Sequence, residues 1–293
     1  MEYLICSWFR KLKFKMKKFS LVISLVVVAF VITSCEPEKP KENKVVPQVV
    51  ENEPEIPSVQ FSLENQYPHD INSFTEGLLF HDGKLFESTG APDNLPQTKS
   101  LFGEVDLKTG KINVKAELDR AVYFGEGIVF LNGKVFQLTY KNQTGFIYDA
   151  KTFKSIGKFS YTNKEGWGLT TDGKNLIMSD GTSYITYLDP TSFTVTKVIE
   201  VAENNYIVEN INELEYINGF IYANVWMTGT IVKINPETGD VVAKLDLSNL
   251  VAESKTKNPS SQEMNGIAYD SVSDKILVTG KLWPTIYEIK FPH

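Results

Sequence analysis

Glu76-Gly77-Leu78-Leu79-Phe80-His81-Asp82-Gly83-Lys84-Leu85-Phe86 holds two short apolar-rich runs around an Asp-Gly pair. That pattern is the local signature of a β-hairpin. It returns at Glu126-Gly127-Ile128-Val129-Phe130 with Asn132-Gly133, and at Trp167-Gly168-Leu169 with Asp172-Gly173. A fourth copy spans Glu213-Leu214-Glu215-Tyr216 with Asn218-Gly219, and a fifth runs from Asn265-Gly266-Ile267 to Lys275-Ile276-Leu277-Val278. Gly77, Gly127, Gly168, Leu214 and Gly266 are separated by 50, 41, 46 and 52 residues. A second hairpin follows most copies, for example Gly145–Asp149 to Ser155–Phe159 and Ile231–Ile234 to Asp240–Lys244. Four strands per unit, repeated five times, predict an all-β, five-bladed β-propeller. An open two-sheet sandwich is the alternative for so many short strands, but it does not account for the repeat.

The ends of the repeat predict how the ring closes. After Lys281 only one strand remains, Thr285–Ile289, so the fifth unit lacks its outermost strand. Val59–Leu63 precedes the first unit and has no partner of its own. It is expected to supply the missing strand and cover the exposed edge.

Upstream of the repeat the composition changes. Residues 1–34 carry six basic residues and one acid, and end in an apolar run, Phe19–Thr33, of 15 residues. That run is short for a membrane span and fits a secretory signal. Its end, Val31-Ile32-Thr33-Ser34-Cys35, resembles the lipobox of bacterial lipoproteins, with Cys35 as the lipidation site. Residues 35–57 are rich in proline and charge and read as an extended tether. The expected organisation is therefore a signal over 1–34, a tether over 35–57 and a catalytic propeller over 58–293. The expected location is the bacterial cell envelope, with the protein held to the membrane by lipid.

The remaining chain has 24 basic and 35 acidic residues. Such a body repels phosphate backbones, so nucleic acid is not an expected partner. Cys6 and Cys35 are the only cysteines, which excludes a disulfide scaffold and a cysteine zinc site. No transition-metal, EF-hand or phosphate-loop spacing occurs. His69 and His81 read as surface turn residues.

In a propeller, residues just before the first strand of a blade and just after the second share one rim. That rule gathers Phe74, Glu76, Phe124, Glu126, Trp167, Asn212, Glu213 and Asn265 from the strand starts, and Tyr140, Trp226, Lys281 and Trp283 from the strand ends. Aromatic walls with a few carboxylates and one lysine describe a small-ligand pocket.

The same segments carry a resemblance. Pro68-His69-Asp70, Phe74-Thr75-Glu76-Gly77-Leu78, Phe124-Gly125-Glu126-Gly127, Gly166-Trp167-Gly168-Leu169 and Asn212-Glu213-Leu214-Glu215-Tyr216 follow in order. Asn224-Val225-Trp226, Met264-Asn265-Gly266-Ile267-Ala268-Tyr269 and Thr279-Gly280-Lys281-Leu282-Trp283-Pro284 complete the series. Together they resemble the plant and bacterial glutaminyl-peptide cyclotransferases, or glutamine cyclotransferases, over about residues 68–290. The resemblance implies a five-bladed propeller that cyclises N-terminal glutaminyl residues to pyroglutamate and releases ammonia. It implies Glu126 as the acid/base carboxylate, with Phe124, Trp167, Asn212, Trp226 and Lys281 lining the pocket. The family usually carries glutamine where this chain has Glu76, and tryptophan where it has Tyr140.

Chemistry adds expectations for the rest of the rim. Lys281, Asn212 or an indole N–H could stabilise a developing oxyanion, while Phe74, Glu76, Tyr140 and Trp283 complete the substrate-binding wall. No catalytic cofactor is expected. A structural calcium ion is compatible with the oxygen donors of the channel, although no spacing demands one. Expected partners are peptides or proteins with N-terminal glutamine, and the expected state is a monomer. Two other readings stay open at this level: a non-catalytic peptide-binding propeller, and a lactonase-like hydrolase with a divalent metal held by Glu76, Glu126 or Glu213 with Asn212 or Asn265.

Overall fold

The structure, a computed structural model, describes residues 55–293. The expected signal over 1–34, Cys35 and all but the last three residues of the tether lie outside the described residues. Five four-stranded antiparallel sheets follow in chain order. Blade one is Thr75–His81, Lys84–Thr89, Leu101–Asp106 and Lys111–Glu117. Blade two is Gly125–Leu131, Lys134–Thr139, Thr144–Asp149 and Ser155–Ser160. Blade three is Leu169–Thr171, Leu176–Ser179, Tyr184–Leu188 and Val195–Glu200, and blade four is Ile211–Ile217, Phe220–Val225, Thr230–Ile234 and Val241–Asp246. Blade five contributes Met264–Asp270, Lys275–Gly280 and Thr285–Lys290, and Ser62–Pro68 completes it. The chain is a five-bladed β-propeller.

Local chemistry forms the blades. In the first hairpins of blades one, two and four, both central turn residues have positive φ: Asp82 and Gly83, Asn132 and Gly133, Asn218 and Gly219. Two such residues in sequence match the right-handed twist of the flanking strands. The inner strand Gly125–Leu131 is buried along its whole length, whereas the outer strand Ser155–Ser160 is mostly exposed. An inner strand is covered on both faces by neighbouring blades, so its sequence is apolar in a run rather than in alternation. Five apolar clusters fill the five gaps between blades. Phe86 and Phe102 of blade one, for example, pack with Ile128 and Phe130 of blade two.

Closure differs in detail from the expectation. The closing strand is Ser62–Pro68, antiparallel to Thr285–Lys290, and not Val59–Leu63. Val59 instead donates its N–H to the Lys244 carbonyl of blade four at 2.7 Å. Val59 and Phe61 pack against the apolar cluster between blades four and five. The pairing strand itself is polar and mostly exposed, so it carries no apolar alternation by which to be read. A helix, Ser248–Lys257, joins blades four and five. It buries only Leu250 and Ser254, which leaves no apolar stripe in the sequence.

His69 is a correction. It follows the closing strand but is buried, not a surface turn residue. Its Nδ1 lies 2.8 Å from the Trp283 carbonyl and its Nε2 3.1 Å from Glu87 Oε1. Thr75 Oγ1 donates to the same Glu87 oxygen at 2.7 Å. With an acceptor at each ring nitrogen, the doubly protonated imidazolium fits best. Burial opposes the charge, but the charge and hydrogen bond of Glu87 outweigh it and raise the His69 pKa. The contact pins the closing strand to both blade five and blade one.

Two measurements check this account. Gly127→Ala should cost about 1–3 kcal/mol or more in urea unfolding, because a Cβ there would lie 2.5 Å from the Leu169 nitrogen. Gly157→Ala, whose Cβ meets only Ile147 Cδ1 at 3.8 Å, should be tolerated. Equal effects would contradict the crowding argument. His69→Gln should cost about 3 kcal/mol at low pH, as for a broken buried pair. The wild-type advantage should be complete below about pH 6.5, the ordinary histidine value, and shrink as pH rises through the raised folded pKa. A difference constant across the pH range would mean that His69 is not charged.

Candidate active site

Five stretches of the chain crowd together where the inner strands begin. Register shifts occur there in four blades, between Thr75 and Gly77, Gly125 and Ile128, Ile211 and Leu214, and Met264 and Ile267. The residues inside those shifts are Glu76, Glu126 and Gly127, Asn212 and Glu213, and Asn265 and Gly266. A bulge breaks strict alternation and re-aims a side chain. Three of these bulges present Glu76, Glu126 and Asn212 to one cavity, while Glu213 and Asn265 bond to neighbouring blades.

Neighbouring blades hold each bulge in place. A Cβ on Gly77 would sit 3.1 Å from Gly127 Cα, and one on Gly168 2.2 Å from the Asn212 carbonyl. Ser88 Oγ donates to the Glu126 carbonyl at 2.5 Å, and the Gly127 N–H to the Trp167 carbonyl at 2.8 Å. Ser179 Oγ donates to the Asn212 carbonyl at 2.7 Å. Glu213 accepts the Leu78 N–H at 3.1 Å and the Ile267 N–H at 2.9 Å, so blade four is tied to blades one and five. Asn265 Nδ2 donates to the Thr75 carbonyl at 2.9 Å. Every junction between blades thus carries a polar tie beside a functional position.

Above the bulges lies a cavity of about 180 Å³, smaller than the roughly 300–1,000 Å³ of drug-sized ligand sites. Its wall is a chain of rings. Phe74 meets Phe124 edge-on with centroids 6.0 Å apart, and Phe124 meets Tyr140 at 5.8 Å. Tyr140 meets Trp167 at 6.5 Å, and Trp167 meets Trp226 at 5.6 Å and 82°. Lys281 continues the chain, its Nζ 4.6 Å from the Phe74 centroid. Glu76, Glu126 and Asn212 supply the polar lining.

Burial dominates the electrostatics. Glu76 and Glu126 are 2% and 4% exposed. Lys281 Nζ lies 2.8 Å from Glu76 Oε1, and Asn265 Nδ2 donates to Glu76 Oε2 at 2.9 Å. Burial still lifts the Glu76 carboxyl to about 7 against the pull of Lys281. Burial, and then the charge of Glu76, push Glu126 well above the ordinary carboxylate range. Burial works against the Lys281 ammonium, but Glu76 and Glu126 together raise its pKa.

Nine of the residues singled out in sequence line the cavity: Phe74, Glu76, Phe124, Glu126, Tyr140, Trp167, Asn212, Trp226 and Lys281. Trp283 does not, although it was expected there. It is fully buried between blades four and five, and its Nε1 donates to the Gln262 carbonyl at 3.0 Å. Leu282 has a φ of 59°, so the chain turns and throws the next side chain inward. Glu213 and Asn265 are structural partners of the bulges and not lining residues. Pro92, on the connection between the second and third strands of blade one, lines the cavity unexpectedly; no repeat position marks it. The Trp167 indole donates to Glu165 Oε2 at 2.9 Å, which leaves the Trp226 indole as the candidate donor among the pocket tryptophans. Among the described residues, no group of three or more His, Cys, Asp or Glu is placed to hold a metal ion. Both Glu213 oxygens face backbone N–H groups and both Glu76 oxygens face Lys281 or Asn265, whereas Asn212 Oδ1 and Asn265 Oδ1 have no hydrogen-bond partner.

Comparison with known proteins places this geometry. The family model described as glutamine cyclotransferase matches residues 26–291. A glutaminyl-peptide cyclotransferase of Arabidopsis thaliana is 41% identical over 227 residues, covering 77% of this chain and 69% of that one. The crystal structure of Myxococcus xanthus glutaminyl cyclase superposes with a TM-score of 0.74 at 32% identity, covering 81% of this chain and 98% of that one. The match of a family model to nearly the whole chain and the shared propeller show that this chain belongs to the glutamine cyclotransferase family, enzymes of the acyltransferase class.

Proposed function

We propose that the chain converts N-terminal glutaminyl residues of peptides or proteins to pyroglutamate with release of ammonia, and that Glu126 moves the protons. The observation that carries this reading is a buried carboxyl held above its ordinary pKa inside an aromatic cavity of single-residue size.

The reaction joins two parts of one residue. The α-nitrogen attacks the side-chain amide carbon, a five-membered ring forms, and the side-chain nitrogen leaves as ammonia. The main task is to hold the chain in a near-attack conformer. Rings from Phe124, Tyr140, Trp167 and Trp226 suit the aliphatic part of a glutamine side chain and keep water out. An N-terminal amine has an ordinary pKa of about 7.7–8.0, so part is free base near neutral pH. The nucleophile then needs to lose one proton and the departing nitrogen to gain one. A carboxyl at the Glu126 position can serve both transfers, an effect worth about 10²–10⁴-fold.

The developing oxyanion needs donors. Lys281 spends one N–H on Glu76 Oε1 and has two more. Asn212 is buried, and its Oδ1 has no hydrogen-bond partner within the protein, which leaves it free to orient a substrate N–H. The Trp226 indole is a further donor candidate.

Residues 58–293 would form the catalytic domain. The sequence at Cys35 supports a lipid anchor at the cell envelope, with residues 35–57 as the tether and a monomeric propeller at its end.

Two tests follow from this reading. With the full chain and a Gln-initiated dipeptide, ammonia release should fall about 10²–10⁴-fold in Glu126→Gln; a folded variant with full turnover would refute the assignment. Fatty-acid labelling of the protein expressed in bacteria should be lost in Cys35→Ser. Equal labelling in both proteins, or none in either, would remove the anchor.

A further inference from the structure

Glu76 is more buried than Glu126 and stands in the adjacent bulge, yet one acid/base carboxyl is enough for the reaction above. Its surroundings are asymmetric. One oxygen faces the Lys281 ammonium at 2.8 Å and the other accepts from Asn265 at 2.9 Å. Glu76 and Glu126 line the same small cavity, and the charge of Glu76 raises the Glu126 pKa. Two carboxylates that face one small desolvated cavity oppose each other's ionisation, so the pair favours a single shared negative charge. Lys281 and Asn265 stabilise charge on Glu76, and no cation pairs directly with Glu126 among the described residues. The proton therefore resides on Glu126.

We propose that Glu76 is a positioning residue that forms a one-proton dyad with Glu126, so that Glu126 enters the reaction as an acid and leaves it as a base. The inference rests on the cyclotransferase reading and adds the order of its proton transfers. The neutral α-amine attacks the amide carbon, forming the N–C bond and a tetrahedral centre with an anionic oxygen. Glu126 gives its proton to the side-chain nitrogen, the C–N bond breaks, the carbonyl re-forms and ammonia departs. The ring nitrogen, still carrying the extra proton, returns it to Glu126. One bond forms and one breaks, and the dyad ends with the proton it began with.

Other ionisable groups reach this pair. Glu263 acts on Glu76 and Lys281, Glu165 acts on Glu126, and Tyr161 feels the Glu126 charge. Among these groups Lys281 is the cation in contact with the dyad, and Glu76 holds it. Glu76→Gln removes the neighbouring negative charge and frees Lys281 for Glu126. Both changes favour ionised Glu126, so its acid form should be lost at lower pH.

The test is the pH profile of kcat/KM for ammonia release by the full chain. The acidic limb reports the substrate amine and should not move. The basic limb should move to lower pH by about one unit or more in Glu76→Gln, with kcat about tenfold lower at pH 9 and a smaller change in KM. Glu76→Asp, which keeps the charge, should bring the limb back toward wild type. Superimposable profiles, or an acidic limb that moves down because Glu126 works first as a base, would overturn the dyad while leaving the cyclotransferase reading intact. Infrared titration of the free protein gives an answer independent of turnover. At pH 8 the difference spectrum against Glu126→Gln should show one protonated carboxyl in wild type, separated from buried Glu213 and Glu215, and a loss of that signal in the Glu76→Gln background. No protonated carboxyl in wild type would overturn the dyad even if no glutaminyl peptide is turned over. Its presence in an inactive protein would instead uphold the dyad and reject the substrate assignment.

Discussion

The close approach of five inner strands at the propeller axis is the constraint on which the rest depends. Backbones meet there at distances that leave no room for a Cβ at Gly127 or Gly168 and little at Gly77. A regular ladder cannot continue into that space, and the strands open with register shifts instead. Each shift lifts one or two residues out of the inter-blade packing. Hydrogen bonds donated by Ser88, Ser179 and Asn265, and one accepted by Glu213, then join those residues to neighbouring blades. The same crowding that closes the ring therefore positions Glu76, Glu126 and Asn212.

The site inherits its electrostatics from this location. The carboxyls are placed by backbone that is itself buried, and both side chains are almost wholly removed from solvent. Desolvation is the largest influence on Glu76, Glu126 and Lys281 alike. One lysine paired with one of two buried glutamates leaves the group short of positive charge, a deficit that the proposed dyad proton would offset. Had the residues been solvated, both acids would ionise and neither could donate near neutral pH.

Much of this was legible in the sequence. Of the four Asp-Gly and Asn-Gly pairs read as hairpin turns, three formed with two positive φ values, and at Asp172-Gly173 only the glycine has a positive φ. The fivefold repeat located the axis, and the rim rule found nine residues of the cavity because strand starts and ends are spatial neighbours whatever the packing. The misses share a cause: each depends on a tertiary contact that leaves no periodic trace. Trp283 is turned inward by the left-handed conformation of Leu282. His69 is buried by Glu87 and the Trp283 carbonyl, which come from distant parts of the chain. Ser62–Pro68 pairs through its backbone while its side chains face solvent, and Ser248–Lys257 buries too little to show a stripe.

The central claim is that this pocket joins the α-nitrogen of an N-terminal glutamine to its own side-chain carbon. Mass spectrometry of a Gln-initiated peptide labelled with ¹⁵N at the α-position tests it most directly. The account predicts that the full chain releases unlabelled ammonia and that all ¹⁵N stays in the cyclised peptide. Labelled ammonia, or retention of both nitrogens by a peptide incubated with folded protein, would contradict it.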